Sequence, residues 1–456
     1  MRTLAGTLGL CLLALGSAAE EPIEGWLPEE TLFCLSVENP SRTAARLAGG
    51  RYAAVRGDPA AQRLAVEAKA FLAAARETTT ARGEVWLGAF WELARGPILL
   101  AVVPARDGPA PLVVIDVGEA AAFRGHLARL ADTGVLGPEA ERDGIRARHG
   151  GEGGGAVYWI ERGSVVAFSW RETAVVAAAR RMRDGSSGLA PRLAAVRGKL
   201  RADADAILYL PREALKELED RSTDVASLSL PDEVALGLAI TLDPDALDVR
   251  AFLFAPRPRR GVLALLDGPN VELDPPPFLA AEGFLAARVD LRGLPRFARE
   301  TLDADEAREL ERLMDRDAGR LATSFLGAVG DRFALAQVGG EQVFLAKVER
   351  EAWMRRLLSA FPGEGGVREG PDGAVALRDG WLIAAARADP VRQLLSEPRA
   401  PWAATDALPG RRIAVWRLAP EARRTWDDPM RLFAGQEGAL VNDPDGLLLV
   451  HRVLLR

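Results

Sequence analysis

Short apolar runs bounded by turn residues recur along the chain. The first is Phe33-Cys34-Leu35-Ser36-Val37, entered through Leu27-Pro28-Glu29-Glu30-Thr31-Leu32 and followed by the acidic Glu38. A run of this length between turn signals predicts a buried strand. Related phrases return at residues 204–213, around Ile207-Leu208-Tyr209-Leu210, at 283–290, around Phe284-Leu285-Ala286, and at 410–418, around Ile413-Ala414-Val415-Trp416. These four phrases frame the rest of the pattern.

After the first phrase, Pro40-Ser41-Arg42 opens a helix, and Asp58-Pro59 opens a second with Leu64, Ala68, Phe71, Leu72 and Ala75 on one face. Residues 98–103 and 112–117 read as a hairpin across Arg106-Asp107-Gly108-Pro109. A helix follows with Phe123, Leu127 and Leu130 inward. Residues 145–148, 157–161 and 165–170 make a meander, the last two joined at Arg162-Gly163, and a helix covers 172–182. Strands at 225–230, 235–242 and 247–254 close this part, the last pair joined by Asp243-Pro244-Asp245-Ala246.

The order then repeats. Pro275-Pro276-Pro277 can continue neither a helix nor an inner strand, so a boundary is placed there. Beyond it, Asp303 and Glu306 resemble a helix cap ahead of a face made by Ala307, Leu310, Leu313, Met314, Leu321 and Phe325. Leu326-Gly327-Ala328 answers Leu87-Gly88-Ala89. Residues 333–338 and 343–348 form a hairpin across Gly339-Gly340, followed by a helix carrying Trp353, Leu357 and Leu358. Strands at 374–377 and 381–385 match the earlier meander, and a helix starts near Pro390. Asn442-Asp443-Pro444-Asp445-Gly446-Leu447 answers Leu242-Asp243-Pro244-Asp245-Ala246-Leu247. Several matches in one order imply an internal duplication.

Short turns between strands imply antiparallel pairing. Helices interrupt the hairpins without alternating strictly with strands, which argues against a doubly wound sheet. The expected fold is α+β, in two similar halves, each a curved antiparallel sheet with helices packed on one face. The expected divisions are a signal peptide at 1–19, a first repeat at 20–274 and a second, shorter repeat at 275–456.

The signal reading rests on Arg2, the apolar stretch Leu4 to Leu15, and the small residues Ser17-Ala18-Ala19 before Glu20. That stretch is too short to span a bilayer. The chain is therefore expected to be exported, to the periplasm or beyond, with peripheral envelope association possible. Cys34 is then the one cysteine left, so no intrachain disulfide staples the fold and the core must hold it. Apolar residues make up 48% of the chain, enough to build that core. A net charge of −6, with no segment that gathers basic residues, argues against a nucleic-acid partner.

Candidate chemistry is sparse. His126, His149 and His451 have no zinc-helix spacing, and no cysteine pair accompanies them, so no metal site is expected. No serine sits in a nucleophile elbow. Gly150 to Gly155 is flanked by strands and precedes no helix start, so it reads as a hairpin loop and not a phosphate cradle. Glu29-Glu30 and the pair Asp303 and Asp305 read as exposed turns and helix starts. Glu38 and Asp290 occupy matching places and read as helix-start carboxylates, with a shared acidic site as the sharper alternative. Trp86, Trp91, Trp159, Trp170, Trp381 and Trp416 are core candidates; several on one concave sheet face would make an apolar groove.

The Leu-Pro-acid-acid-Thr-Leu turn into a strand, the acidic residue after it, and the segment Gly57-Asp58-Pro59 resemble a family of exported bacterial proteins. These carry a large domain of unknown function that begins just after the signal peptide. The resemblance implies repeated strand-helix phrases and supplies no catalytic residue. No catalytic, cofactor or metal residue is assigned. The expected function is a non-catalytic binding or scaffold protein of the cell envelope, acting on a protein partner or an apolar small molecule. The alternative is a hydrolase with a site at the junction of the two halves.

Overall fold

The computed structural model describes residues 23–57, 93–221, 235–289, 324–396, 408–418 and 433–455, apart from a few positions inside these ranges, together with 308 and 312. The segment 1–19, the helix after Asp58-Pro59, the 225–230 strand, most of the glycine loop, the 303–323 stretch apart from 308 and 312, Leu87 to Ala89, Trp86, Trp91 and Asp290 lie outside the described residues.

The chain divides into two compact units. The first carries β1 (Phe33–Val37), β2 (Ile98–Val103), β3 (Ala110–Asp116), β4 (Glu139–Arg142), β5 (Ile145–His149), β6 (Ala156–Arg162), β7 (Val165–Ser169) and β8 (Ala206–Leu210). They pair antiparallel in the order β8-β1-β2-β3-β7-β6-β5-β4. Phe123 and Leu127 of α3 (Ala120–Asp132) fill its core against Val113, Ile115, Val157, Trp159 and Phe168. The Phe123 ring meets Trp159 edge-on at 6.1 Å and Phe168 at 5.5 Å.

The second unit carries β9 (Ala235–Asp243), β10 (Ala246–Phe254), β12 (Gly283–Arg288), β13 (Val329–Val338), β14 (Glu341–Val348), β15 (Val367–Gly370), β16 (Gly373–Arg378), β17 (Trp381–Ala385), β19 (Ala414–Leu418), β20 (Phe433–Asp443) and β21 (Gly446–Leu455). Their antiparallel order is β9-β10-β21-β20-β19-β12-β13-β14-β17-β16-β15. A small ribbon, β11 (Val271–Glu272) with β18 (Arg411–Arg412), stands apart. Within the second unit, β19-β12-β13-β14-β17-β16-β15 repeats the pairing order β8-β1-β2-β3-β7-β6-β5 of the first.

The expected fold class is corrected in two respects. Strand outweighs helix among the described residues, and nineteen strands belong to a single sheet in place of two separate ones. Within the second unit, the expected boundary between the halves is crossed at the two Asp-Pro-Asp hairpins. Each was expected to close its own half, yet β10 pairs with β21 along nine residues, from Ala246 opposite Leu454 to Phe254 opposite Gly446. Two exposed hairpin edges satisfy their backbone groups on one another. The helices are not confined to one face either. Leu345 and Ile383 pack under Val391 and Leu394 of α9 (Ala388–Ser396), whereas their strand neighbours Ala346 and Leu382 pack under Met354 of α8 (Glu351–Ser359). Successive strand residues point to opposite faces, so α8 and α9 sandwich this part of the sheet.

Candidate functional site

Sheet alternation in the second unit sorts its side chains. Phe284, Ala286, Ala334, Ala336, Leu345, Val415, Ala439 and Val450 form the core on the α9 side. The residues between them face the other way. There, Phe344 lies opposite Leu335, Leu335 opposite Leu285, and Leu285 opposite Trp416. The row continues through Gly438, His451 and Val249 to Ile240. It crosses eight strands, about 33 Å at the usual strand spacing. Leu285 is 42% exposed, Leu335 40% and Phe344 43%. Three large apolar side chains in contact register, each exposed to this degree, form a contiguous patch and not scattered singles. Phe333 stacks on Phe344 with ring centroids 5.9 Å apart, extending the patch toward α8.

The reverse face beneath the same strands carries charge. Arg417, Glu437, Arg452, Asp248 and Thr241 stand opposite one another in sequence, with alternating sign along the first four. Arg452 Nε lies 3.3 Å from Asp248 Oδ1. Opposite charges directly across strands stabilise pairing. Apolar surface therefore points outward at this end of the sheet while part of the polar surface is turned in.

The hairpin after β20 is held by a buried arginine. The side chain of Arg259 is fully buried, and it donates to Asn442 Oδ1, to the carbonyls of Asp443 and Gly446 (2.6 Å), and to Ala255 O at 3.0 Å. Asp267 lies 3.3 Å from the same guanidinium. Burial lowers the Arg259 proton affinity and the carboxylate of Asp267 opposes that shift. Asn270 adds two hydrogen bonds to the Asn442 backbone. Lys199 bridges Asp443 (2.8 Å) and Asp445 (2.9 Å) from outside. This constellation saturates its donors with turn carbonyls and carboxylates, so it is a lock on the fold and not a site awaiting substrate.

The lock has a pH signature. Burial alone would raise the Asp443 carboxyl, but the Lys199 ammonium, the Asp445 amide and Arg259 outweigh it and hold it below its ordinary 3.8. Hydrogen bonds to Asp443 and Asp445 raise Lys199 above its ordinary 10.5. The Asp443 contribution is complete above the unfolded value and lost as pH falls through the lower folded one; the Lys199 contribution is complete below 10.5 and lost as pH rises beyond it. Lys199→Met is expected to cost about 1–2 kcal/mol at neutral pH, with the difference from wild type shrinking at both extremes. Urea denaturation midpoints of the two proteins across pH measure this.

Other candidates fall elsewhere. Cys34 is buried, and with Ser36, Glu38, Leu193, Arg197 and Ile207 it lines a shallow crevice that leaves no room for a water molecule. Glu38 accepts from Ser36 Oγ at 2.7 Å and pairs with Arg197; Asn39 Oδ1, not Glu38, caps the helix α1 (Pro40–Ala48) by accepting from the Arg42 amide at 2.8 Å. His149 is exposed and meets Tyr158 edge-on, His126 lies on α3, and His451 lies on β21 beside Trp416. Among the described residues no His, Cys, Asp and Glu cluster could hold a metal. Trp159 and Trp381 belong to two different cores, and Trp416 alone of the described tryptophans lies in the outer row. The missed residues are Leu285, Leu335 and Phe344, whose signal was an uninterrupted apolar run where a two-residue alternation would have hidden one face.

No family model matches the chain, and no curated protein matches it. Among solved structures, crystal form III of TP0453 resembles it at 10% identity and a TM-score of 0.32, over 55% of this chain and 85% of that one. Crystal form I of the same protein gives 10% and 0.31, over 53% and 82%. Likenesses of this size carry no argument about fold or activity. No described helix is long and apolar enough to cross a membrane.

Proposed function

We propose that this chain is an exported, non-catalytic protein of the cell envelope that binds an apolar small molecule or the apolar surface of a protein partner. The observation that carries the reading is the outward row Leu285, Leu335 and Phe344, exposed and in register on three neighbouring strands. Water gains from covering such a row at roughly 25 cal/mol per Å² of apolar surface. Export and envelope association rest on the pattern of Arg2, Leu4 to Leu15 and Ser17-Ala18-Ala19 and on the resemblance to the exported family. An internal duplication belongs to the same proposal, and the matching order of strand pairing supports it.

The test uses Nile red, an uncharged apolar dye whose emission rises on burial, titrated into the folded chain. Two aspartates in the row, Leu335→Asp with Phe344→Asp, are expected to weaken dye binding about tenfold or more while the far-UV circular dichroism is unchanged. Equal affinity in the variant would remove this face as the binding surface.

A further inference from the structure

The outer row of the second unit also continues past Phe344 in the other direction. Phe344 lies opposite Ala384 on β17, Ala384 opposite Val375 on β16, and Val375 opposite Arg368 on β15. Their sequence neighbours Val343, Ile383, Ala376 and Val367 belong to the core under α9, so these four residues stand on the outer face. From Arg368 to Leu285 the row takes five strand steps, about 24 Å.

Beyond Arg368, every side chain in this stretch is apolar. Ala384 is the smallest and stands between Val375 and Phe344, so the row dips there. Gln342 and Gln337 border it on one side, and the core under α8 borders it on the other, where Val375 packs. Phe361, just past α8, is 45% exposed. The chain after it is tied to β15: the Glu369 amide donates to Pro362 O at 3.0 Å, and Arg368 Nη1 donates to Gly363 O at 3.1 Å. Arg368 holds no carboxylate among the described residues, whereas Arg378, Arg387 and Arg392 each do. A guanidinium has five N–H donors, so the one carbonyl leaves most of them for an incoming anion.

We propose that this row takes a single long-chain carboxylate, a fatty acid, with its acid group on Arg368 and its chain laid across the strands over Ala384, Phe344 and Leu335. The inference rests on the reading of the outer face as an apolar binding surface and names its ligand class. The lengths agree. One acyl chain reaches about 15 Å, half the hydrocarbon core of a bilayer. Leu335 lies four strand steps from Arg368, about 19 Å, which leaves room for the acid group as well. The charges agree too, because one cation closing one end of an uncharged row matches one acid group at the end of one chain. A bilayer surface would be met by a cluster of basic residues, and this stretch carries one.

The test is displacement of Nile red from the full chain by dodecanoate and by dodecanol, which share a chain and differ in the acid group, both below their aggregation limits. In Arg368→Gln, which keeps a donor for Gly363 O without the charge, the preference for dodecanoate over dodecanol is expected to fall about tenfold or more while Nile red affinity is unchanged. A preference that is the same in both proteins overturns the carboxylate assignment. So does dodecanoate that fails to displace bound Nile red; either result leaves the apolar face standing. Nile red that does not bind the wild type, or binds equally to the Leu335→Asp, Phe344→Asp variant, removes the apolar face and this inference with it. Binding to phosphatidylcholine vesicles without binding to monomeric dodecanoate assigns the face to a bilayer and overturns the single-chain ligand.

Discussion

Arg259→Met lowers the stability of the fold by about 3–5 kcal/mol, the largest single effect expected in this chain. Methionine matches the volume of the arginine stem but supplies no donor. Asn442 Oδ1 and the carbonyls of Ala255, Asp443 and Gly446 then lose their partner inside the protein. Each buried acceptor so abandoned costs about 1–3 kcal/mol, partly recovered by relaxation and water entry. Asp267 keeps Arg257 at 2.8 Å, so its carboxylate is not stranded. Guanidinium denaturation of the two proteins measures the difference, and a midpoint unchanged from wild type would show that the hairpin holds without the arginine.

Gly446→Ala is the second. A Cβ there would lie 2.1 Å from Leu253 O and 2.8 Å from the Phe252 ring. The first contact is with backbone, which cannot swing aside as a side chain would. The β10–β21 ladder that joins the two Asp-Pro-Asp hairpins must then part at its Phe254–Gly446 end. Overpacking of this kind costs about 1–3 kcal/mol, and the lost ladder bonds add to it. Hydrogen exchange should show faster exchange of the amides in 252–254, with the first unit's β2 and β3 amides unaffected. Uniform protection in both would contradict the placement of this junction.

Local features of the fold were legible because local chemistry writes them. Gly339-Gly340, Asp443-Pro444-Asp445-Gly446 and Arg162-Gly163 each announce a turn, and each joins two strands in the structure. Phe123 and Leu127 stand one helical turn apart and both reach the core. What the pattern could not carry is which edges meet. The pairing of β10 with β21 joins residues about 200 positions apart, and no local signal encodes it. The strand Glu139–Arg142 escaped notice because all its residues are exposed; it is held to β5 by backbone and by ion pairs such as Arg148 with Glu139 at 3.2 Å. Glu38 stood where a cap was expected, but Asn39, one residue on, has the shorter reach that the first turn needs.

The candidate face was harder to read for a related reason. Phe284-Leu285-Ala286 is apolar on both sides of the strand, so its sequence does not say that Phe284 is buried and Leu285 exposed. Only the register with Leu335 and Phe344 gathers the exposed residues into one row. Trp416 is one of six tryptophans that the sequence offers alike as core candidates, and nothing in its local pattern separates it from Trp159, which fills a core instead.

The most direct test of a binding role for this face is native mass spectrometry of the chain purified gently from its own host, beside the Leu285→Asp, Leu335→Asp, Phe344→Asp triple variant. A bound mass on the wild type that is absent from an equally folded variant is the predicted result. A bare wild-type monomer, or an adduct retained in full by the variant, would contradict a binding role for the outer sheet face.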